Sequence, residues 1–182
     1  VLESLASAFI PYTDKPFAFF GHSLGALLCF EFAHKLRTYY GQEPCHIFVS
    51  GRRAPHLPDT DRITYNLPAS EFIDELRRLN GTPKEVLENP ELMSLMMPAL
   101  RADFEICQTY SYSEKAPLRC QITALGGLQD EDVSTEALQA WRDYTNGPFR
   151  MRVFAGDHFF LQTSESLLLQ VVSQELRRLR PS

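Results

Sequence analysis

Residues 17–33 read F-A-F-F-G-H-S-L-G-A-L-L-C-F-E-F-A, and the centre of that stretch, Gly21-His22-Ser23-Leu24-Gly25, constrains the chain more than any other segment. A short apolar run enters a G-x-S-x-G turn, and a long helical pattern leaves it. This is the context of a nucleophile elbow, in which a strand bends sharply into a helix with the serine at the apex. Strand and helix backbones nearly touch at such a bend, so the glycines at 21 and 25 read as a steric requirement. Ser23 is expected in a strained backbone conformation with its hydroxyl exposed. The helix behind it points unpaired N–H groups at the same place, where they can stabilise an oxyanion.

The rest of the chain supplies a sheet for this bend. Residues 17–20 are all apolar, as suits a strand covered on both faces. Further strand patterns fall at 46–50, 121–126 and 150–155. Helical patterns fall at 2–10, 24–40, 134–144 and 163–179. Alternating strands and helices predict an α/β protein with a mostly parallel sheet and helices on both faces. Between residues 67 and 117 only helical patterns appear. They lie at 69–79, at a start marked by Thr82-Pro83-Lys84-Glu85, at a second start at Asn89-Pro90 followed by Leu92, Met93, Leu95, Met96, Met97 and Leu100, and at 102–110. We read residues 1–182 as a single domain in which 67–117 is an inserted helical lid. The methionines of that insertion suit a surface that adapts to a flexible apolar ligand, or ordinary core packing.

Bulk properties exclude several classes of function. Eighteen Lys and Arg against 23 Asp and Glu give a formal charge of -5, and no basic block stands out, so nucleic acid is not an expected partner. No apolar run approaches the roughly 18 residues of a membrane span. Cys29, Cys45, Cys107 and Cys120 lack C-x-x-C spacing, which argues against a zinc site and for a reduced, cytoplasmic protein. The chain opens at Val1 inside a helical pattern, and we expect earlier strands to be missing from its front.

A serine hydroxyl needs a base to act as a nucleophile at neutral pH. Of the five histidines, His22 adjoins Ser23 and its side chain should diverge from it. His34 lies in a helix, His46 begins a strand, and His56 sits in a Pro-rich loop. His158, in Gly156-Asp157-His158-Phe159-Phe160, follows the last strand. Reactive loops of a parallel sheet gather at the C-terminal strand ends, so His158 meets the elbow there and is the expected base. The loop after the third strand supplies the acid that orients it. Asp130 is the first choice and Asp132 the second. The backbone N–H of Leu24 is one oxyanion donor, and the second is expected upstream of Val1. The chemistry calls for no metal and no cofactor.

These features together resemble the type II thioesterases, the stand-alone editing enzymes of non-ribosomal peptide and polyketide synthesis. The resemblance rests on Phe20-Gly21-His22-Ser23-Leu24-Gly25-Ala26, on Val49-Ser50-Gly51-Arg52-Arg53-Ala54-Pro55, on Leu79-Asn80-Gly81-Thr82-Pro83 and on Leu100-Arg101-Ala102-Asp103-Phe104. It rests also on Gly126-Gly127 with Asp130 and on Gly156-Asp157-His158-Phe159-Phe160-Leu161. It implies an α/β-hydrolase fold with a helical lid and a triad of Ser23, Asp130 and His158. It also implies hydrolysis of acyl or aminoacyl thioesters from the phosphopantetheine arm of an acyl or peptidyl carrier protein. Stalled or mis-primed groups are the implied substrates. Arg52, Arg53, Arg77 and Arg78 are candidates for a local patch facing an acidic carrier. Three alternatives stand beside this reading: a carboxylesterase or lipase with the same triad, the integral thioesterase domain of a synthetase, and a non-catalytic module on a hydrolase scaffold.

Overall fold

The computed structural model describes residues 1–58 and 62–179. In chain order the helices are α1 (Leu2–Phe9), α2 (Leu24–Tyr40), α3 (Ala69–Leu79), α4 (Lys84–Leu87), α5 (Pro90–Thr109), α6 (Thr135–Gln139), α7 (Phe160–Thr163) and α8 (Glu165–Arg178). The strands are β1 (Ala18–His22), β2 (His46–Ser50), β3 (Gln121–Gly127) and β4 (Phe149–Phe154). The chain divides into two compact units, one of Val1–Leu57 with Glu114–Ser182 and one of Pro58–Ser113.

In the first unit the strands form one parallel sheet in the order β1-β2-β3-β4. The parallel arrangement follows the expectation, and it explains why β2 and β3 carry no exposed residue: strands covered on both faces need apolar or paired side chains throughout. Successive side chains alternate between the faces. Phe17 and Phe19 pack with Ala6 of α1 and with Phe32 and Leu36 of α2. On the opposite face Phe48, Leu125 and Phe154 pack with Phe160 of α7 and Leu168 of α8. Trp141 and Tyr144 extend the α2 side, each meeting Phe30 edge-on at 5.4 and 5.3 Å.

Under α8 lies a buried polar seam. Glu175, 2% exposed, accepts hydrogen bonds from Gln121 Nε2 at 3.0 Å and from Arg178 at 2.6 Å, and Arg150 pairs with it at 3.0 Å. His46, fully buried beside this seam, shares a 2.9 Å hydrogen bond with Thr123 and stacks on Phe48 at 3.9 Å. Burial, opposed by Glu175 and reinforced by Arg150, pushes its imidazole down to about 4.

The helical unit has its own small core of Phe72, Leu76, Leu87 and Met93, with Met97 partly buried against it. The hydrophobic spacing of 69–79 predicts α3 to the residue. Asn89 caps α5 as its sequence suggests, accepting from the N–H groups of Glu91 and Leu92, with Pro90 in the first turn. Thr82 does not act as a cap. The short helix α4 begins after Pro83, which shifts Glu85 out of the capping-box position. The two stretches 92–100 and 102–110 fall in one helix rather than two, α5, which runs through Pro98 and ends at Thr109, with Tyr110 outside it. Arg101, at the expected break, stays helical, and its guanidinium donates to the Tyr65 carbonyl and, at 2.7 Å, to that of Leu67. Of the methionines, Met93 and Met97 serve this unit's core, whereas Met96 is exposed. Among the described residues no helix is long and apolar enough to cross a membrane.

Candidate active site

β1 runs two residues further than its apolar stretch suggests and carries Gly21 and His22, so Ser23 stands between the last strand residue and Leu24, the first of α2. Ser23 has φ 52° and ψ -116°, a conformation that non-glycine residues rarely hold. Its N–H donates to the Ser50 carbonyl at 2.8 Å, which ties the bend to the end of β2. A Cβ on Gly21 would collide with the Gly25 carbonyl, so the first glycine is sterically demanded. The second is not: a Cβ on Gly25 meets no atom within 4 Å. Only one of the two glycines is therefore required by close approach. As the first residue of α2, Leu24 has an N–H with no carbonyl behind it in the helix.

His158 Nδ1 donates to Asp130 Oδ2 at 2.9 Å, and the Asp130 side chain is completely buried. The other Asp130 oxygen accepts from the backbone N–H groups of Asp132 and Val133 at 3.0 and 3.1 Å. Asp130, and not Asp132, is thus the acid that holds the imidazole. The choice follows from the loop, which folds its own backbone around one carboxylate oxygen and leaves the other facing the ring. With Nδ1 engaged, Nε2 is the ring nitrogen able to accept a proton. Asp157 accepts from the Phe159 N–H at 2.9 Å and shapes the loop.

The two loops that carry this pair are joined directly. Leu128 N–H donates to the Phe154 carbonyl at 2.7 Å, Gln129 N–H to the Gly156 carbonyl at 2.9 Å, and Gly156 N–H back to Gln129 Oε1 at 2.6 Å. The segment after β2 braces the acid loop from the other side. Arg53 donates to the Asp132 carbonyl at 2.8 Å, Trp141 Nε1 to the Arg52 carbonyl at 2.8 Å, and Ala54 N–H to the Ala137 carbonyl at 3.1 Å. This gives Ser50-Gly51-Arg52-Arg53-Ala54-Pro55 a physical role that spacing alone did not reveal.

The sequence predicts only that the His22 side chain diverges from that of Ser23. Its ring lies 4.9 Å from that of His158, with Phe159 and Phe160 at 5.6 and 6.0 Å. Its Nδ1 shares a 3.0 Å hydrogen bond with Ser50 Oγ. Burial, reinforced by His158 and opposed by Asp130, pushes His22 down to about 4, so it stays neutral. Gly51, at φ 57°, leaves the space for both rings: a Cβ there would sit 2.6 Å from His22 Cε1 and 3.3 Å from His158 Cε1. The missed signal was topological, since His22 and Gly51 both fall at C-terminal strand ends, where His158 was already placed.

The remaining candidates serve structure. His34 accepts from Arg37 at 3.0 Å, and burial with nearby Arg37 pushes it down to about 4. His56 shares a 2.7 Å hydrogen bond with the Tyr144 hydroxyl. Arg77 and Arg78 pair along α3 with Asp74 at 2.5 Å and Glu75 at 2.8 Å, which blunts them as a basic patch. Ligand atoms of Asp130, Asp132 and His158 lie within 4.8 Å of one another. Both Asp130 oxygens and His158 Nδ1 already satisfy hydrogen bonds there, so the set fits an orienting acid and an imidazole better than a cation.

Comparison with known proteins agrees with this geometry. The thioesterase domain family matches residues 2–175. A protein of Brevibacillus parabrevis named linear gramicidin dehydrogenase LgrE is 48% identical over 180 residues, covering 97% of this chain and 68% of that protein. Among solved structures, the RedJ thioesterase of the prodiginine pathway in Streptomyces coelicolor superposes with a TM-score of 0.86 at 36% identity, covering 96% of this chain and 66% of RedJ. BorB, a type II thioesterase of the borrelidin biosynthetic cluster, superposes at 0.84 with 35% identity, covering 96% of this chain and 73% of BorB. The chain thus spans about two thirds of the length of such proteins.

Proposed function

Since this chain belongs to the thioesterase domain family, and with it to the hydrolases of thioester bonds, we propose that Ser23, His158 and Asp130 form its catalytic triad. The substrates are acyl or aminoacyl groups on the phosphopantetheine arm of a carrier protein. Removal of stalled or mis-primed groups during non-ribosomal peptide or polyketide synthesis is the task that the likeness to RedJ and BorB supports. The observation that carries the reading is the 2.9 Å His158–Asp130 hydrogen bond, made beside the ring of the residue that precedes a strained serine.

Ser23 Oγ attacks the thioester carbonyl while His158 Nε2 takes its proton. Asp130 holds the imidazole in the required tautomer and stabilises the imidazolium. The Leu24 N–H, at the positive end of α2, donates to the oxyanion. The intermediate collapses with loss of the pantetheine thiol, which receives the proton from His158. Water, deprotonated in turn by His158, attacks the acyl-serine; the acyl–oxygen bond breaks, His158 returns the proton to Ser23 Oγ, and the carboxylic acid is released. Residues 67–117, which carry α3, α4 and α5, act as a lid over the acyl chain in this reading. The four cysteines form no disulfide among the described residues, which suits a reducing cytoplasm.

The test is hydrolysis of an acyl-carrier thioester beside its matched oxygen ester. Ser23→Ala should lower kcat by roughly 10⁴–10⁶-fold with the fold intact. Retained turnover in that variant refutes the triad, and a preference for the oxygen ester favours a carboxylesterase.

A further inference from the structure

We propose that His22, held by Ser50, is a positioning residue for His158: its imidazole is the fixed wall that sets the plane of the catalytic ring. The inference rests on the triad reading given above.

Three observations support it. The rings of His22 and His158 lie 4.9 Å apart at an interplanar angle of 51°, within packing distance and without a hydrogen bond between them. The His22 ring cannot swing freely, because Nδ1 is bonded to the buried Ser50 hydroxyl and its far edge meets Phe159 and Phe160. Gly51 lacks the one substituent that would push either ring aside. Asp130 grips His158 at one atom, Nδ1, and the angular slack of a single hydrogen bond lets the ring rock about its Cβ–Cγ bond. The neighbouring His22 ring, tilted at 51°, limits that rocking.

The ionisable groups felt by His22 are His158 and Asp130. His22 remains uncharged while the neighbouring imidazole gains its proton, so it adds no competing base.

The experiment uses the full chain with a small acyl N-acetylcysteamine thioester, after a fluorophosphonate has been shown to label Ser23. Absence of that label refutes the triad itself and is thereby distinguished from failure of this inference. His22→Ala should lower kcat roughly ten- to a hundredfold with KM within about twofold. His22→Phe restores a neutral ring without nitrogens and should recover most of kcat. If His22→Ala matches the parent in kcat, or if His22→Phe is as slow as His22→Ala, the wall is rejected. Should His22→Ala fail to fold by circular dichroism, Ser50→Ala decides. It frees the ring without removing it and should lower kcat several-fold with KM within about twofold. No change in kcat overturns the proposal.

Discussion

In the sheet-bearing unit, β2 and β3 are buried along their whole length, and Ser50 at the end of β2 and Gln121 at the start of β3 are hydrogen-bonded to His22 and Glu175. In the helical unit, the buried cluster is Phe72, Leu76, Leu87 and Met93, and Leu92, Leu95 and Met96 stand exposed along α5. The first is held by strand register, which permits little movement without breaking several hydrogen bonds together. The second is held by side-chain contacts, of which the thioether contacts are the most adaptable, and by polar braces from Arg101 and Gln108 to loop backbone. Groups that need fixed geometry sit on the first kind of scaffold. The second kind suits contact with variable apolar chains.

The sharpest way to break this contrast is at the acid. Asp130→Asn should cost about 10⁴-fold in kcat while leaving the sheet in place, because the loss is one of tautomer and orientation. A loss of only a few fold in steady-state thioester hydrolysis would show that the sheet-borne pair does not set the rate. The next effect in size falls on the other unit. Met93→Ala should cost about 2–5 kcal/mol locally through the cavity it leaves. Amide hydrogen exchange should then accelerate across α3 to α5 and stay unchanged in β2 and β3. Exchange that rises equally in both units would dissolve the distinction. Leu95→Ala, at a position 78% exposed, should stay within about 0.5 kcal/mol of the parent.

A smaller effect separates the two units by pH. His46 belongs to the sheet and is held near 4, below the roughly 6.5 of an unfolded histidine. Between these values the unfolded chain binds a proton that the folded chain refuses, so stability falls as pH drops through that window. His46→Gln should reduce the fall in unfolding free energy between pH 7 and pH 5 by on the order of 1–2 kcal/mol, read from urea midpoints. An unchanged slope would locate the pH dependence elsewhere, with His34 and His22 the next groups to substitute.

The strands were legible in the sequence because a parallel sheet needs short apolar runs, and 17–20 and 47–49 provide them, although Phe20 of β1 stays exposed. Helix α2 was legible to both ends, from the elbow to Gly41, whose φ of 65° makes the left-handed C-terminal cap. Ser23, Asp130 and His158 could be singled out because each follows a strand at the same edge. What stayed hidden depended on geometry across the sheet. Nothing in the spacing of His22 and Gly51 says that one makes room for the other. The cap at Thr82 failed where the cap at Asn89 succeeded because α4 is a single turn, too short for local signals to outweigh the packing of Leu87. The break expected at residue 101 is absent because an arginine favours helix and is anchored from its far end.

The cross-links among Leu128, Gln129 and Gly156 make the carboxylate and the imidazole ride on one piece of the molecule, while the alcohol follows β1, two strands from the carboxylate's and three from the imidazole's. Breathing of the sheet should therefore change the spacing of the first two less than the gap in front of the third. The path from oxygen to ring crosses the most strands of the three, so we expect warming, denaturant or a distant substitution to stretch that distance first.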